Sequence, residues 1–463
     1  MFMNKFLDQL QTQIGSPLLT GADISERYQH DWSSEPAGVP IAVARPGSTL
    51  EVSAIMKLCS QHGKKVVVQG GLSGLCGGSN PRAGELAISL ERLNGIEEID
   101  SASMTMTVKA GTPLQVIQEA AAANGFVFPL DLGARGTCNI GGNISTNAGG
   151  NQVLRFGMTR NLVLGLEAVL ADGTVISSMN KMLKNNAAYD LKQLFIGTEG
   201  TLGIVTRAVL RLYPKALSRC SALLAVADFT KVIALLQKVT RDFSGNLSAF
   251  EVMWHSYYHF ITDNVKGMVS PFGERHALYV LVELEGGEQE RDQLLFENSL
   301  GDALEQGMAI DAVVANSQRE REGFWKIRDG VAEIGQFIRD AANFDVSVPI
   351  SSMHSFLGKI EDELKARVPA AKILVFGHIA DSNLHIICHT GRREDIKTLY
   401  GVVYNLVSQF HGSVSAEHGI GVQKLDYLHY SRSPAELALM QTLKLAMDPQ
   451  GLLNNGRVLL KAV

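Results

Sequence analysis

Phe6, Leu7, Leu10 and Ile14 recur at helical spacing, which predicts a short amphipathic helix over Met1 to Ile14. A strand at Ile41 to Ala44 stops at Arg45-Pro46-Gly47. Ser48-Thr49-Leu50-Glu51 has capping-box spacing and Gly63 suits the exit, so a helix lies between them. Lys64 to Val68 reads as the next strand. Thr112 as cap, Pro113 in the first turn and Gly125 at the exit bracket a helix over Leu114 to Asn124. Strands dominate from Leu162 to Pro214: Val163 to Leu170 and Thr174 to Ser177 flank the turn Ala171-Asp172-Gly173, and Gly203 to Leu212 follows. After Pro214-Lys215-Ala216 a second pattern begins. Its strands are Ala222 to Ala227, Ala277 to Glu283, Phe344 to Ile350 and Lys372 to Phe376. Its helices are Asp228 to Phe243, Gly287 to Gln306, Arg319 to Arg339 and Ser355 to Arg367. A last helix covers Pro434 to Met447, and no internal repeat is present. These breaks divide the chain into 1–215 (core about 38–215), 216–410 and 411–463.

Composition narrows the class. The 463 residues are 46% hydrophobic and 19% charged, enough apolar material for two or three packed cores. A net charge of −5 gives a nucleic-acid partner no support. Cys59, Cys76, Cys138, Cys220 and Cys388 form no CxxC and are odd in number, which reads as buried thiols in a reducing compartment. No secretory leader and no apolar run of about 18 residues are visible, so no membrane span is expected and the cytoplasm is the simplest location.

The 45 glycines cluster. Strand Val66 to Val68 runs into Gln69, Gly70, Gly71, Leu72, Ser73, Gly74, Leu75, Gly77, Gly78 and Ser79. Asn80-Pro81 follows instead of a helix, which argues against a Rossmann turn, and GxxxxGK[ST] is absent. Converging backbone N–H groups in such a loop suit a pyrophosphate. A second cluster joins Pro129, Leu130 and Asp131 to Gly136, Thr137, Ile140, Gly141, Gly142, Ser145, Asn147 and Gly149, a run whose backbone can pass close to a flat ligand. A third, Phe195 to Ile204, contains Gly200 and Gly203.

Five of the 12 histidines lie between His378 and His418. Ala380-Asp381-Ser382-Asn383 is turn chemistry between two strand-like runs, so a hairpin brings His378 and His385 together. With the Glu417 carboxylate they make a two-His, one-carboxylate set suited to catalytic Zn²⁺, or to Mn²⁺ or Fe²⁺. Gly419 and Gly421 allow the bend that turns both Glu417 and its neighbour His418, the candidate base, to one site. His389 and His411 match no motif and read as structural.

The three glycine segments resemble the FAD-binding domain of the vanillyl-alcohol oxidase/p-cresol methylhydroxylase (PCMH) superfamily. Pro129 to Gly150 and Tyr189 to Gly197 resemble its FAD-linked D-2-hydroxy-acid dehydrogenases, of the D-2-hydroxyglutarate and D-lactate dehydrogenase type, and the likeness runs from about residue 40 to the C-terminus. The resemblance implies an α+β fold: a two-subdomain PCMH-type FAD-binding domain, an α+β substrate (cap) domain, and a C-terminal helical segment that returns to the first. It implies that the first loop holds the FAD pyrophosphate, and that the second cluster, Gly200, Gly203, Ile204, Val205 and Asn454 line the cofactor. No histidine occurs between His62 and His255, so the FAD is expected to be non-covalent. It makes His378, His385 and Glu417 metal ligands, His418 the base, Asn383 a supporting residue and Arg328 the grip on the substrate's C1 carboxylate. The chemistry implied is oxidation of a D-2-hydroxy acid to the 2-oxo acid, with the hydroxyl proton going to His418 and hydride to flavin N5.

Three positions depart from the hydroxyglutarate enzymes. Asn343 replaces a lysine, Ala332 a threonine and Ile387 an asparagine, each removing polarity where a second carboxylate would sit. Asn343 and Ile387 are thus candidate substrate-wall residues, and D-lactate or a more apolar D-2-hydroxy acid is favoured over D-2-hydroxyglutarate or D-malate. Two further readings are a metal-independent flavin alcohol or sugar oxidase and a non-catalytic subunit of the glycolate-oxidase kind. The dehydrogenase likeness implies an electron acceptor such as electron-transfer flavoprotein, a cytochrome or a quinone, and is compatible with a homodimer.

Overall fold

The computed structural model describes residues 2–460, so Met1 of the expected first helix lies outside the described residues. The chain forms two compact units. The first takes the chain up to Gly150, Phe156–Lys215 and everything from Glu417 onward; the second takes Asn151–Arg155 and Ala216–Ala416.

In the first unit a parallel sheet is ordered Ala42–Ala44, Leu86–Ser89, Val66–Gln69. An antiparallel sheet is ordered Ile96–Asp100, Thr105–Lys109, Ile204–Arg211, Val163–Val169, Val175–Ser178. The pairing of its last two strands is the hairpin expected around Asp172-Gly173. Its first two strands were not foreseen: Ile96–Asp100 carries three acids and little apolar patterning. Thr49–His62 is helical as expected, with the Ser48 hydroxyl accepting the Glu51 N–H at 3.2 Å and Gly63 left-handed at φ 59°. The capping box is only half made, because the Glu51 carboxylate accepts from Gly47 N instead, at 2.8 Å. Thr112 is no cap either. Its hydroxyl donates to the Lys109 carbonyl, and Pro113 occupies the capping position of Leu114–Ala123.

The second unit is built on one antiparallel sheet, ordered Asp311–Val314, Ser218–Val226, Leu278–Gly286, Leu247–Trp254, Lys372–His378, Asn383–His389, Ala341–Ser347. Helices Phe229–Phe243 and Gln289–Glu305 follow the expected pattern, each with an acidic cap, Asp228 and Glu288. Leu247–Trp254 was not expected as a strand. The helix expected over Arg319 to Arg339 is α-helical only over Gln318–Arg328 and continues as 3₁₀ turns over Asp329–Gln336. The change falls where the buried Tyr257 hydroxyl donates to the Arg328 carbonyl at 2.5 Å. Lys372–His378 and Asn383–His389 form the expected hairpin, with a single 3₁₀ turn at Ile379–Asp381 and Ser382 left-handed at φ 72°.

Candidate active site

The first unit carries a cavity whose walls come from all three glycine segments. Gly70, Gly74, Leu75, Gly78 and Ser79 enter from the first, Gly141, Gly142 and Ser145 from the second, and Gly200, Gly203, Ile204 and Val205 from the third. His418 and Asn454 also line it, as do residues not expected there: Asp31, Val68, Cys76, Leu90, Ala110, Thr146 and Glu199. Gln69, Gly71, Leu72, Ser73, Gly77, Pro129, Leu130, Asp131, Gly136, Thr137, Ile140, Asn147 and Gly149 fall outside this lining. Several of them shape it from behind. Gln69 is buried and its amide donates to the carbonyls of Tyr28, at 2.9 Å, and Ser79, at 3.1 Å, fastening both ends of the first loop. A Cβ on Gly71 would lie 1.9 Å from the Thr137 carbonyl oxygen, so the first two segments are pressed backbone to backbone. Asp131 instead pairs with Arg135 at 2.7 Å.

Ile140–Thr146 is a short helix, an element not foreseen in this run of small residues. The Ser145 and Thr146 hydroxyls bond back to the carbonyls of Gly141, at 2.7 Å, and Gly142, at 3.1 Å, so their donors are met inside the helix. Gly142 faces open space, with nothing within 4 Å of the point a Cβ would occupy. A cavity floored by residues without side chains fits a flat, extended cofactor such as FAD.

Sequence reasoning missed Glu199. Its backbone is left-handed at φ 51°, a costly state for a residue with a side chain. Its carboxylate accepts the N–H groups of Ile420 at 2.7 Å and Gly421 at 2.9 Å, just beyond His418. Burial raises its pKa, and those two donors pull against the rise. The signal lay in Gly197-Thr198-Glu199-Gly200-Thr201, where a lone acid sits among small residues. Gly149 has a comparable use: a Cβ there would meet the Glu417 carboxylate at 2.6 Å.

The second unit assembles a polar strip on one face of its sheet. His378 is paired across strands with Glu251, Phe376 with His385, and His385 with Asp345. The His378 and His385 rings stand 5.4 Å apart at 79°. His378 Nδ1 lies 2.7 Å from Glu251 Oε1, and Arg328 Nε donates to Glu251 Oε2 at 2.9 Å. Arg328 Nη2 lies 2.8 Å from His378 Nε2, and its guanidinium lies over the Phe376 ring. Burial pushes the Glu251 carboxyl up, but His378 and Arg328 outweigh it and hold the group below its ordinary value. Arg328 is raised above its already high value, chiefly by Glu251 working against burial. Among the described residues both amide atoms of Asn383 lack a hydrogen-bond partner, although only 3% of the residue is exposed. Such an orphan is costly unless something else meets it. Two converging imidazoles beside an unanswered buried amide fit a divalent metal with an oxygen-bearing ligand. Asn343 and Ile387 face each other across the sheet; Asn343 is exposed, and Ile387 is packed with Leu374 and Phe376.

Residues 40–178 match the FAD binding domain, and residues 215–458 match the family of FAD linked oxidases, C-terminal domain. The chain belongs to the FAD-linked oxidases. It is 38% identical over 448 residues to D-2-hydroxyglutarate dehydrogenase of Xanthomonas citri pv. viticola, covering 94% of this chain and 92% of that one. To the mitochondrial enzyme of that name from Arabidopsis thaliana it is 36% identical over 437 residues, covering 94% and 78%. p-Cresol methylhydroxylase shares its fold at 15% identity, with a TM-score of 0.79 over 98% of this chain and 96% of that one. The α+β, PCMH-type architecture is therefore established for this FAD-linked oxidase. No helix among its described residues is long and apolar enough to cross a membrane.

Proposed function

We propose that this chain is a flavin-dependent dehydrogenase that oxidises a D-2-hydroxy acid to the 2-oxo acid, with D-2-hydroxyglutarate as the leading substrate. One observation carries the substrate: relatives bearing that enzyme's name match nearly the whole chain at 34–38% identity. In this reading FAD sits non-covalently in the glycine-floored cavity and His378, His385 and Glu417 hold a divalent metal. Chain continuity supports Glu417, because it follows Ala416, whose N–H donates to the carbonyl of Asp345, the residue paired with His385. When bound, the flavin takes up hydride and the metal supplies Lewis acidity that lowers the hydroxyl pKa. Arg328, whose Nε is held by Glu251, offers its Nη N–H groups to the substrate carboxylate, and Asn383 offers its unanswered amide. His418, on the wall of the flavin cavity, accepts the hydroxyl proton. Electrons then leave to an acceptor such as electron-transfer flavoprotein, a cytochrome or a quinone.

A second reading, an apolar substrate such as D-lactate, is favoured by Ile387, which is 6% exposed inside an aromatic and aliphatic cluster opposite Asn343. Anaerobic mixing with D- and L-2-hydroxy acids, with and without chelator, tests both. D-2-hydroxyglutarate is expected to bleach the flavin fastest, and chelator to abolish the bleaching. Faster bleaching by D-lactate selects the second reading; bleaching by no D-2-hydroxy acid discards both.

A further inference from the structure

Glu251 lies in the middle of Leu247–Trp254, in the run Phe250-Glu251-Val252-Met253. A carboxylate there, 2% exposed, is costly unless its oxygens are answered. Both are. Oε1 meets His378 Nδ1 at 2.7 Å, Oε2 meets Arg328 Nε at 2.9 Å, and Arg328 Nη2 closes the ring on His378 Nε2 at 2.8 Å. The strand register sets the first contact, since Glu251 and His378 are direct cross-strand partners. The donors determine the protons. A guanidinium has no acceptor, so Nε2 accepts from Arg328 and carries a lone pair. The ring proton is then on Nδ1, given to Glu251. This is the tautomer in which Nε2 ligates a metal once Arg328 Nη2 turns from that single lone pair to the substrate carboxylate.

We infer that Glu251 is a positioning residue that locks a metal ligand and the substrate grip to each other: one oxygen holds His378 in its ligating tautomer and the other fixes the Nε edge of Arg328. This rests on the functional reading above. It goes beyond that reading in making metal binding and carboxylate binding share one buried carboxylate. Glutamine at this position has the same shape but one acceptor. If its NH₂ faces Arg328, two donors oppose each other. If it faces His378, the ring must carry its proton on Nε2 and lose the ligating lone pair.

The test uses the full-length flavoprotein. Wild type, E251Q and E251D are titrated with Zn²⁺ and Mn²⁺ against a competing chelator, with FAD content read from the visible spectrum. Histidine ¹⁵N shifts report the His378 tautomer in the metal-free protein. E251Q is expected to keep its FAD, to bind metal about 10- to 100-fold more weakly, and to move the ring proton to Nε2. Its KM for the hydroxy acid is expected to rise together with the metal Kd. E251D keeps both acceptors on a shorter arm and is expected to recover part of the loss. If E251Q does not fold, E251D decides: several-fold weaker metal binding supports the tether, and unchanged binding overturns it. Wild-type metal affinity and an unmoved proton in E251Q overturn this inference and leave the functional reading intact. A wild-type protein that binds neither cation overturns both.

Discussion

The two units build their sites by opposite means. The first works by omission: glycines let backbones touch and leave a floor without side chains. The second works by addition, burying Arg328, Glu251, His378 and Asp345 on a sheet face where aliphatic residues would cost less. A cavity made of missing atoms is sensitive to anything inserted. A strip of compensating charges is sensitive to anything removed.

Removing a charge is expected to have the largest effect. Arg328→Met leaves Glu251 buried without its cation and should cost about 3–5 kcal/mol of stability in the second unit. Catalysis should vanish while FAD stays bound; urea unfolding read alongside flavin absorbance checks both. An Arg328→Met protein of undiminished stability would break the contrast. Inserting one methyl is expected to cost less but to strike the cofactor. Gly71→Ala drives a Cβ onto the Thr137 carbonyl and should cost about 1–3 kcal/mol. Purified Gly71→Ala should be pale, with added FAD restoring the spectrum only at raised concentration. The smallest effect concerns acid. Asp292 is 1% exposed, and burial would raise its pKa, but the Ser218 hydroxyl, the Glu288 N–H and Arg291 hold it below the ordinary value. Its stabilising contribution is therefore present above the unfolded carboxyl value, about 3.9, and is lost as pH falls through the lowered folded value. Denaturant midpoints followed from pH 5 downward should decline less steeply in Asp292→Asn than in wild type.

Legibility followed the same contrast. Features made by neighbours in sequence could be read: the Ser48 cap, the left-handed Gly63, the turn between His378 and His385. Features made by distant partners could not. Leu247–Trp254 has no glycine or proline to mark its end, and Glu251 acquires its meaning only from the register with His378. Glu199 was hidden for the same reason, its donors lying 221 and 222 residues away. The helix Ile140–Thr146 escaped because its glycines, Asn, Ser and Thr all argue against helix. The α-helix ends at Arg328 beside Tyr257, a contact no local pattern carries.

The strand that feeds the first glycine loop has one further dependence. Val66 N–H donates to Leu452, Asn454 N–H returns to Val66, and the Asn454 side chain takes the Val68 N–H at 2.9 Å across 386 residues. Arg457, 1% exposed, pairs with Glu85 at 2.8 Å. During translation this strand therefore waits, half paired, until the 386 positions from Val68 to Asn454 have been read. Completion of the cavity wall, which Val68 and Asn454 share, waits on the same event. A stop codon shortly before Leu452 would act as a lesion in the glycine-floored cavity, although it lies hundreds of codons from the loops that form it.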